Sequence, residues 1–281
     1  MNPIFYLAAA AAKKPEPALG LFVEKNVGAF FLMLFMTAVV WVMITRARGA
    51  KKIPAIRKIA GLDAIDEAIG RATEMGRPVH FSPGLGGVDY PETFAFFATL
   101  GHVAKLAARY DTRLINTHRN NYVYAIADEI IRQAYLEAGR PDAYNPDDVR
   151  YLSPYQFAYA SGVLGIFQRE KVAANIMIGY FYAEALIFAE AGYQAGAIQV
   201  AGTTSTAQLP FFVTACDYTL IGEEIYAGSA YLSKDPVLTG SVVGQDVAKI
   251  AIFALILLGT IVANFNNFGA KTNFLKDLLL K

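Results

Sequence analysis

The sequence predicts an α/β fold: a mostly parallel, doubly wound (Rossmann-like) sheet of about six strands, flanked by two transmembrane helices. Three observations carry that expectation. Between residues 61 and 246, short apolar runs alternate with longer runs of helical periodicity. That is the pattern of βαβ units, whose parallel neighbours need a helical crossover. The stretch Arg77-Pro78-Val79-His80-Phe81-Ser82-Pro83-Gly84-Leu85-Gly86-Gly87 reads as a first buried strand that breaks into an exit loop no strand continues through. On either side of this region lies a long apolar run with the composition of a membrane span.

Bulk composition narrows the function classes. Of 281 residues, 55% are hydrophobic, and the mean hydropathy of +0.34 is high for a purely soluble chain. The 25 basic and 24 acidic side chains leave a formal net charge of +1, which gives nucleic acid no electrostatic footprint. A single cysteine, Cys216, excludes an internal disulfide. With only His80, His102 and His118 beside it, the chain lacks a Cys/His zinc set. No metal is expected, and nothing in the composition points to a particular cofactor, which stays unknown.

Residues 1–26 start apolar and turn polar at Lys13-Lys14-Pro15, with no basic residue ahead of the apolar part. A cleaved signal is therefore not expected, which leaves an interfacial or partner-packed helix or a disordered tail. Residues 27–45 have no charge and are apolar on every face, as a transmembrane helix must be. Arg46, Arg48, Lys51, Lys52, Arg57 and Lys58 follow in a basic juxtamembrane linker, 46–60. The positive-inside rule places this linker in the cytoplasm, where it also suits contact with lipid headgroups. A second span is expected over 247–265, its apolar part shortened by Asn264. Both termini then lie outside an inner (cytoplasmic) membrane, with the α/β domain of 61–246 in the cytoplasm. The tail at 266–281 sets Phe274, Leu278 and Leu279 beside Lys271 and Lys276, as in a short amphipathic helix.

Within the domain, Leu62, Ile65, Ile69 and Ala72 recur at helical spacing, and Gly76 stands where a helix C-cap is wanted. Strands are expected at 78–82, 113–117, 149–153, 173–179, 197–201 and 217–221. Helices are expected at 91–109, 121–138, 154–169, 182–191, 209–215 and from Glu224 to about Leu232, with Pro91 and Pro154 opening two of them. Reading 211–220 as one continuous element would remove the last strand and leave the fold class unchanged.

Open parallel sheets take ligands beyond the carboxyl ends of their strands, so the residues following each strand are the ligand-binding candidates. Ser82, Gly84, Gly86 and Gly87 follow the first strand and Asn116, His118 and Arg119 the second. Thr203 and Thr204 follow the fifth, and Glu223 and Glu224 the sixth. Gly84 to Gly87 can turn backbone N–H groups toward an anion, and the threonines add hydroxyl donors. The third glycine of a dinucleotide fingerprint and the Gly-Lys-Ser/Thr of a P-loop are both missing. His118 and Arg119 suit an anion clamp and general acid, Glu223 and Glu224 a base or a hydrated cation site. Plainer readings stand beside these: links between loops for the first pair, and a favourable helix dipole for the second. Ser82 lacks the flanking glycines of a nucleophile elbow, so no catalytic set is complete.

The 16 tyrosines and 19 phenylalanines suit subunit interfaces, where an apolar ring carries a polar tip, as well as ordinary packing. The stretch from Gly61-Leu62-Asp63-Ala64 through Gly76-Arg77-Pro78, with Asp217-Tyr218-Thr219-Leu220-Ile221-Gly222-Glu223-Glu224, resembles a family of prokaryotic membrane proteins known only as a domain of unknown function. The resemblance covers the cytoplasmic domain and the second span. It implies the same layout of anchor and α/β domain, and supplies no reaction or catalytic residues. Two functions follow: a membrane-anchored, homo-oligomeric scaffold, or a tethered domain that binds or converts a small-molecule ligand at the strand ends. A transporter or channel is disfavoured, since two spans make a pathway only in an oligomer and neither carries an intramembrane acid or base.

Overall fold

The computed structural model describes residues 17–18, 22–23, 27–49, 59–233 and 236–267. Most of the predicted N-terminal tail, the greater part of the basic linker and the amphipathic tail from 268 lie outside the described residues. The chain divides into two compact units, one from both ends of the chain up to Lys51 and from Gly240 onward, the other from Lys52 to Thr239.

The first unit opens with a two-residue antiparallel bridge between β1 (Pro17–Ala18) and β2 (Phe22–Val23). It continues into α1 (Val27–Gly49), whose last turn holds Arg46 and Arg48. Uniform apolar composition with no proline lets this helix run 23 residues.

The second unit is built in chain order from α2 (Ala60–Glu74), β3 (Val79–Gly84), α3 (Pro91–Tyr110), β4 (Leu114–His118), α4 (Asn121–Glu137), β5 (Val149–Tyr151) and α5 (Gln156–Glu170). It then runs through β6 (Ala174–Tyr180), α6 (Glu184–Ala195), β7 (Ile198–Thr203), α7 (Leu209–Ala215), β8 (Tyr218–Ile221) and α8 (Glu224–Ser233). The six strands β3 to β8 form one sheet, ordered β5-β4-β3-β6-β7-β8, and every pair is parallel. The winding reverses between β3 and β6, which makes the carboxyl ends of those two strands the topological switch point.

Residue alternation along the strands sorts the core. Val79, Phe81, Leu114, Ile176, Val200 and Leu220 pack beneath α2, α3, α4 and α8. Ile115, Met177 and Ala201 pack beneath α5, α6 and α7. β3 is buried on both faces along its whole length, as a central parallel strand is, and its buried polar residues His80 and Ser82 are hydrogen-bonded. Fully buried side chains such as Phe96, Phe181 and Phe188 each stabilise the fold by about 1.5–3 kcal/mol through removal from water.

Three sequence expectations are corrected. The first strand does not break at Pro83: it continues to Gly84, with a register shift between Ser82 and Gly84. Pairing with β4 ends at Phe81, so the missing N–H of Pro83 breaks no ladder bond there. Pro154 does not open a helix; α5 begins at Gln156, and the Pro154 carbonyl accepts a bond from Arg119. Helix α6 runs past Gly192 to Ala195. Gly192 serves close packing, since a methyl there would lie 2.2 Å from Gln199 Oε1, and Gly196, at φ 67°, supplies the left-handed cap.

The last helix among the described residues, α9 (Pro236–Asn267), carries the second apolar run and starts ahead of it. Both α1 and the Pro236–Ile261 part of α9 are long and apolar enough to cross a membrane. They touch closely. A methyl built on Gly240 would lie 2.8 Å from Ile44 Cα, and one on Gly244 would lie 3.0 Å from Val40 Cα. Two glycines four residues apart share one helix face, and here they let the two backbones approach as small residues do between membrane helices.

Candidate functional site

The switch point is filled by the chain itself. The Leu85 N–H bonds to the Tyr180 carbonyl at 2.8 Å, and the Gly84 N–H to Ser82 Oγ at 3.0 Å. A methyl on Gly84 would lie 2.4 Å from the Tyr180 carbonyl oxygen and 2.8 Å from the Phe181 ring. One on Gly86 would lie 2.7 Å from Thr93 Oγ1, the hydroxyl that bonds the Gly87 carbonyl at 2.7 Å. The loop glycines thus admit close neighbours from β6 and α3, and two of the N–H groups expected to face an anion bond within the protein. Tyr90 stacks on Tyr180 over this crevice, ring centroids 4.3 Å apart.

The sheet separates the remaining candidates. Ser82 lies on the α5–α6 side, where its hydroxyl bonds Tyr159 Oη at 2.8 Å. Tyr159 Oη also donates to the Thr117 carbonyl, and Thr117 Oγ1 meets His80 Nε2 at 2.9 Å. From His80 the chain of bonds continues through Asn175 to Gln199, whose amide donates to the Ala189 and Ala215 carbonyls. This polar line crosses four strands, and all of its side chains are buried. Burial lowers the His80 pKa to about 4, against the opposing bond from Asn175, and raises that of Tyr159 to about 12. His80 is therefore neutral, and neither group is poised for proton transfer near neutrality.

Asn116 and His118 face the opposite side. Asn116 Nδ2 donates to the Phe81 carbonyl at 2.9 Å, and its Oδ1 meets His118 Nε2. The His118 ring sits edge-on to Phe96 and Tyr124, and burial lowers its pKa to about 3. Its Nδ1 is buried without a hydrogen-bond partner. Arg119 ties two strand exits together, Nε to the Pro154 carbonyl at 2.7 Å and Nη1 to the Leu85 carbonyl at 3.2 Å.

Thr203 is buried at the end of β7, its hydroxyl accepting from the Ser205 N–H. Thr204 donates to Glu92 Oε1, and the second Glu92 oxygen is buried without a partner. Glu223 offers its carbonyl to the first turn of α8, while Glu224 Oε2 accepts the Ile221 N–H at 2.9 Å. Ser82 and Thr203 therefore sit apart from the Asn116–His118 pair, and no cluster of three or more metal-ligating side chains occurs among the described residues.

Two buried groups at these strand ends escaped sequence reasoning, Glu92 and Tyr159, whereas Glu184 follows the fourth strand in the sequence as a residue of that edge. Glu184 opens α6, accepts from the Tyr182 N–H and from Gln156, and has its pKa raised by burial. The partners of Glu92 and Tyr159 lie too far along the chain to be read from spacing.

Residues 17–274 match the model of a domain of unknown function, DUF6754. The chain belongs to that family. The DUF6754 match agrees with the resemblance read from 61–78 and 217–224, and extends it through the first apolar helix as well as the second. No curated protein and no solved structure matches this DUF6754 chain.

Proposed function

We propose that the protein is a membrane-anchored structural component that self-associates through its α/β unit. The observation that carries this reading is a set of aromatic side chains left open to solvent just beyond the strand carboxyl ends. Phe94 is 60% exposed, Tyr122 74%, Tyr155 76%, Phe157 67% and Tyr182 48%. Each stands in the exit loop or first turn of a helix that follows a strand. At the same edge the switch-point crevice is packed with Tyr180, Phe181 and Thr93, which weakens the case for a ligand there. Aromatic rings with polar tips are what subunit interfaces use, and a second copy of the chain supplies a matching face.

The anchor in this reading is the α1–α9 pair, joined at Gly240 and Gly244. Arg46 and Arg48 at the end of α1, with Lys51, Lys52, Arg57 and Lys58 beyond, orient the α/β unit to the cytoplasmic side of an inner membrane and toward anionic lipid. The deciding measurement is the mass of the complex extracted in mild detergent. Defined homo-oligomers are expected; a strictly monomeric particle at all protein concentrations would end the proposal.

A further inference from the structure

A cavity of about 690 Å³ opens between α5 and α6 at the amino-terminal edge of the sheet, away from the strand-exit candidates. That volume falls within the ~300–1,000 Å³ of small-molecule sites. Leu164, Phe167 and Ile187 form its apolar wall, with Arg77, Lys171 and Glu190 at its polar margin.

The polar margin is built around Arg77. Its Nε bonds the Lys171 carbonyl, and its Nη2 bonds the Val172 and Ala195 carbonyls at 3.0 Å each. These acceptors follow α5 and end α6, so the guanidinium answers the partial negative charge of both helix C-termini and is fixed in place. Nη1 keeps two N–H donors with no protein acceptor among the described residues. Lys171, the left-handed cap of α5 at φ 49°, is exposed and makes no ion pair among the described residues. The one opposing carboxylate, Glu190, accepts from Gln194 at 3.2 Å.

We propose that this cavity binds an amphiphilic monocarboxylate, a medium-chain fatty acid, with the chain along Leu164, Phe167 and Ile187 and the carboxylate at Arg77 Nη1 and Lys171 Nζ. Two cations against one carboxylate give the head its sign, and a guanidinium held by three carbonyls pays little ordering entropy to receive it. The site lies at the other end of the strands from the self-association edge and does not depend on it.

The test uses the full chain in lipid nanodiscs with a dodecanoic acid bearing a mid-chain diazirine. After irradiation, the labelled peptides are mapped by mass spectrometry and normalised to total incorporation. Labelling is expected in the segments carrying Leu164 and Ile187, displaced by excess dodecanoate and not by dodecylammonium. Lys171→Glu, a change of two charge units that turns attraction into repulsion, should reduce it about fivefold or more. Ile187→Trp, which fills the groove, should remove it while the circular dichroism spectrum and thermal unfolding stay as in the parent. Labelling spread evenly over the chain, equal displacement by dodecylammonium, or full retention in Lys171→Glu would each overturn the proposal. Because none of these readouts involves subunit number, a monomeric protein that labels as expected would reject the scaffold and keep the site.

Discussion

At the scale of single residues, the two buried histidines make stability depend on pH. Burial lowers His80 to about 4 and His118 to about 3, from 6.5 in an exposed chain. The unfolded chain therefore binds more protons than the folded one as pH falls below 6.5. Stability is complete above that value and is lost on acidification, by about 1.4 kcal/mol per pH unit for each histidine. Chemical unfolding of the detergent-solubilised protein at pH 7, 6 and 5 should show stability falling, about half as steeply between pH 7 and 6 as that limiting slope and close to it between pH 6 and 5. His118→Leu should remove one histidine's share of it while also lowering stability at pH 7, because Asn116 Oδ1 loses its partner. An unchanged slope in the variant would mean that His118 is not held neutral. The sequence puts His80 inside the first buried strand, which is where the structure has it. It placed His118 among ligand candidates, because nothing in the local pattern shows Phe96 and Tyr124 closing over the ring.

At the scale of elements, positions of strands and helices were readable because each parallel strand is short, apolar and bounded by turn residues. The faces were harder. Ser82 and Asn116 both stand at strand exits in the sequence, yet Ser82 looks toward Tyr159 on α5 while Asn116 lies with His118 under Phe96 and Tyr124. Only the register of β3 against β4 and β6 decides this. The glycine loop shows the same limit, since its crowding comes from Tyr180 and Phe181, far away in sequence. Gly84 and Gly139 separate the two demands placed on a glycine. Both have positive φ, 72° and 74°, but a methyl on Gly139 meets nothing within 4 Å, whereas one on Gly84 strikes the Tyr180 carbonyl. Gly139→Ala should cost about 1 kcal/mol for backbone strain, and Gly84→Ala should cost more by about 1–3 kcal/mol of overpacking. Equal losses in thermal unfolding would show that β6 yields freely. For the apolar helices, Gly240→Leu should lower the melting temperature in detergent, while Gly49→Ala, with open space around it, should leave it unchanged. A harmless Gly240→Leu would argue against the close α1–α9 contact.

At the scale of the whole molecule, the aromatic excess was visible in composition, but its distribution was not. Many of the aromatic residues are core: Phe81, Phe96, Tyr159, Phe181, Phe188 and Phe212 are buried, as their place on inward-facing positions demands. What composition could not show is that Tyr155 and Phe157 stand exposed at the start of α5 while Tyr159 of the same helix is fully enclosed. Exposed rings lose little when truncated in a monomer, because their surface is already in water, and they lose much when a partner covers them. The self-association proposal therefore makes an asymmetric prediction. Tyr155→Glu with Phe157→Glu should leave the unfolding temperature of the dissociated chain within about 2 °C of the parent. The same pair should shift the detergent-extracted particle to lower mass, since a buried unpaired carboxylate costs several kcal/mol at an interface. Tyr193→Glu serves as the control. Tyr193 is 78% exposed near the end of α6, at the opposite edge of the sheet, and its replacement should not change the mass. If Tyr193→Glu dissociated the particle and the α5 pair did not, assembly would run through the amino-terminal edge, and the aromatic set beyond the strand ends would need another partner, the lipid surface being the first to try.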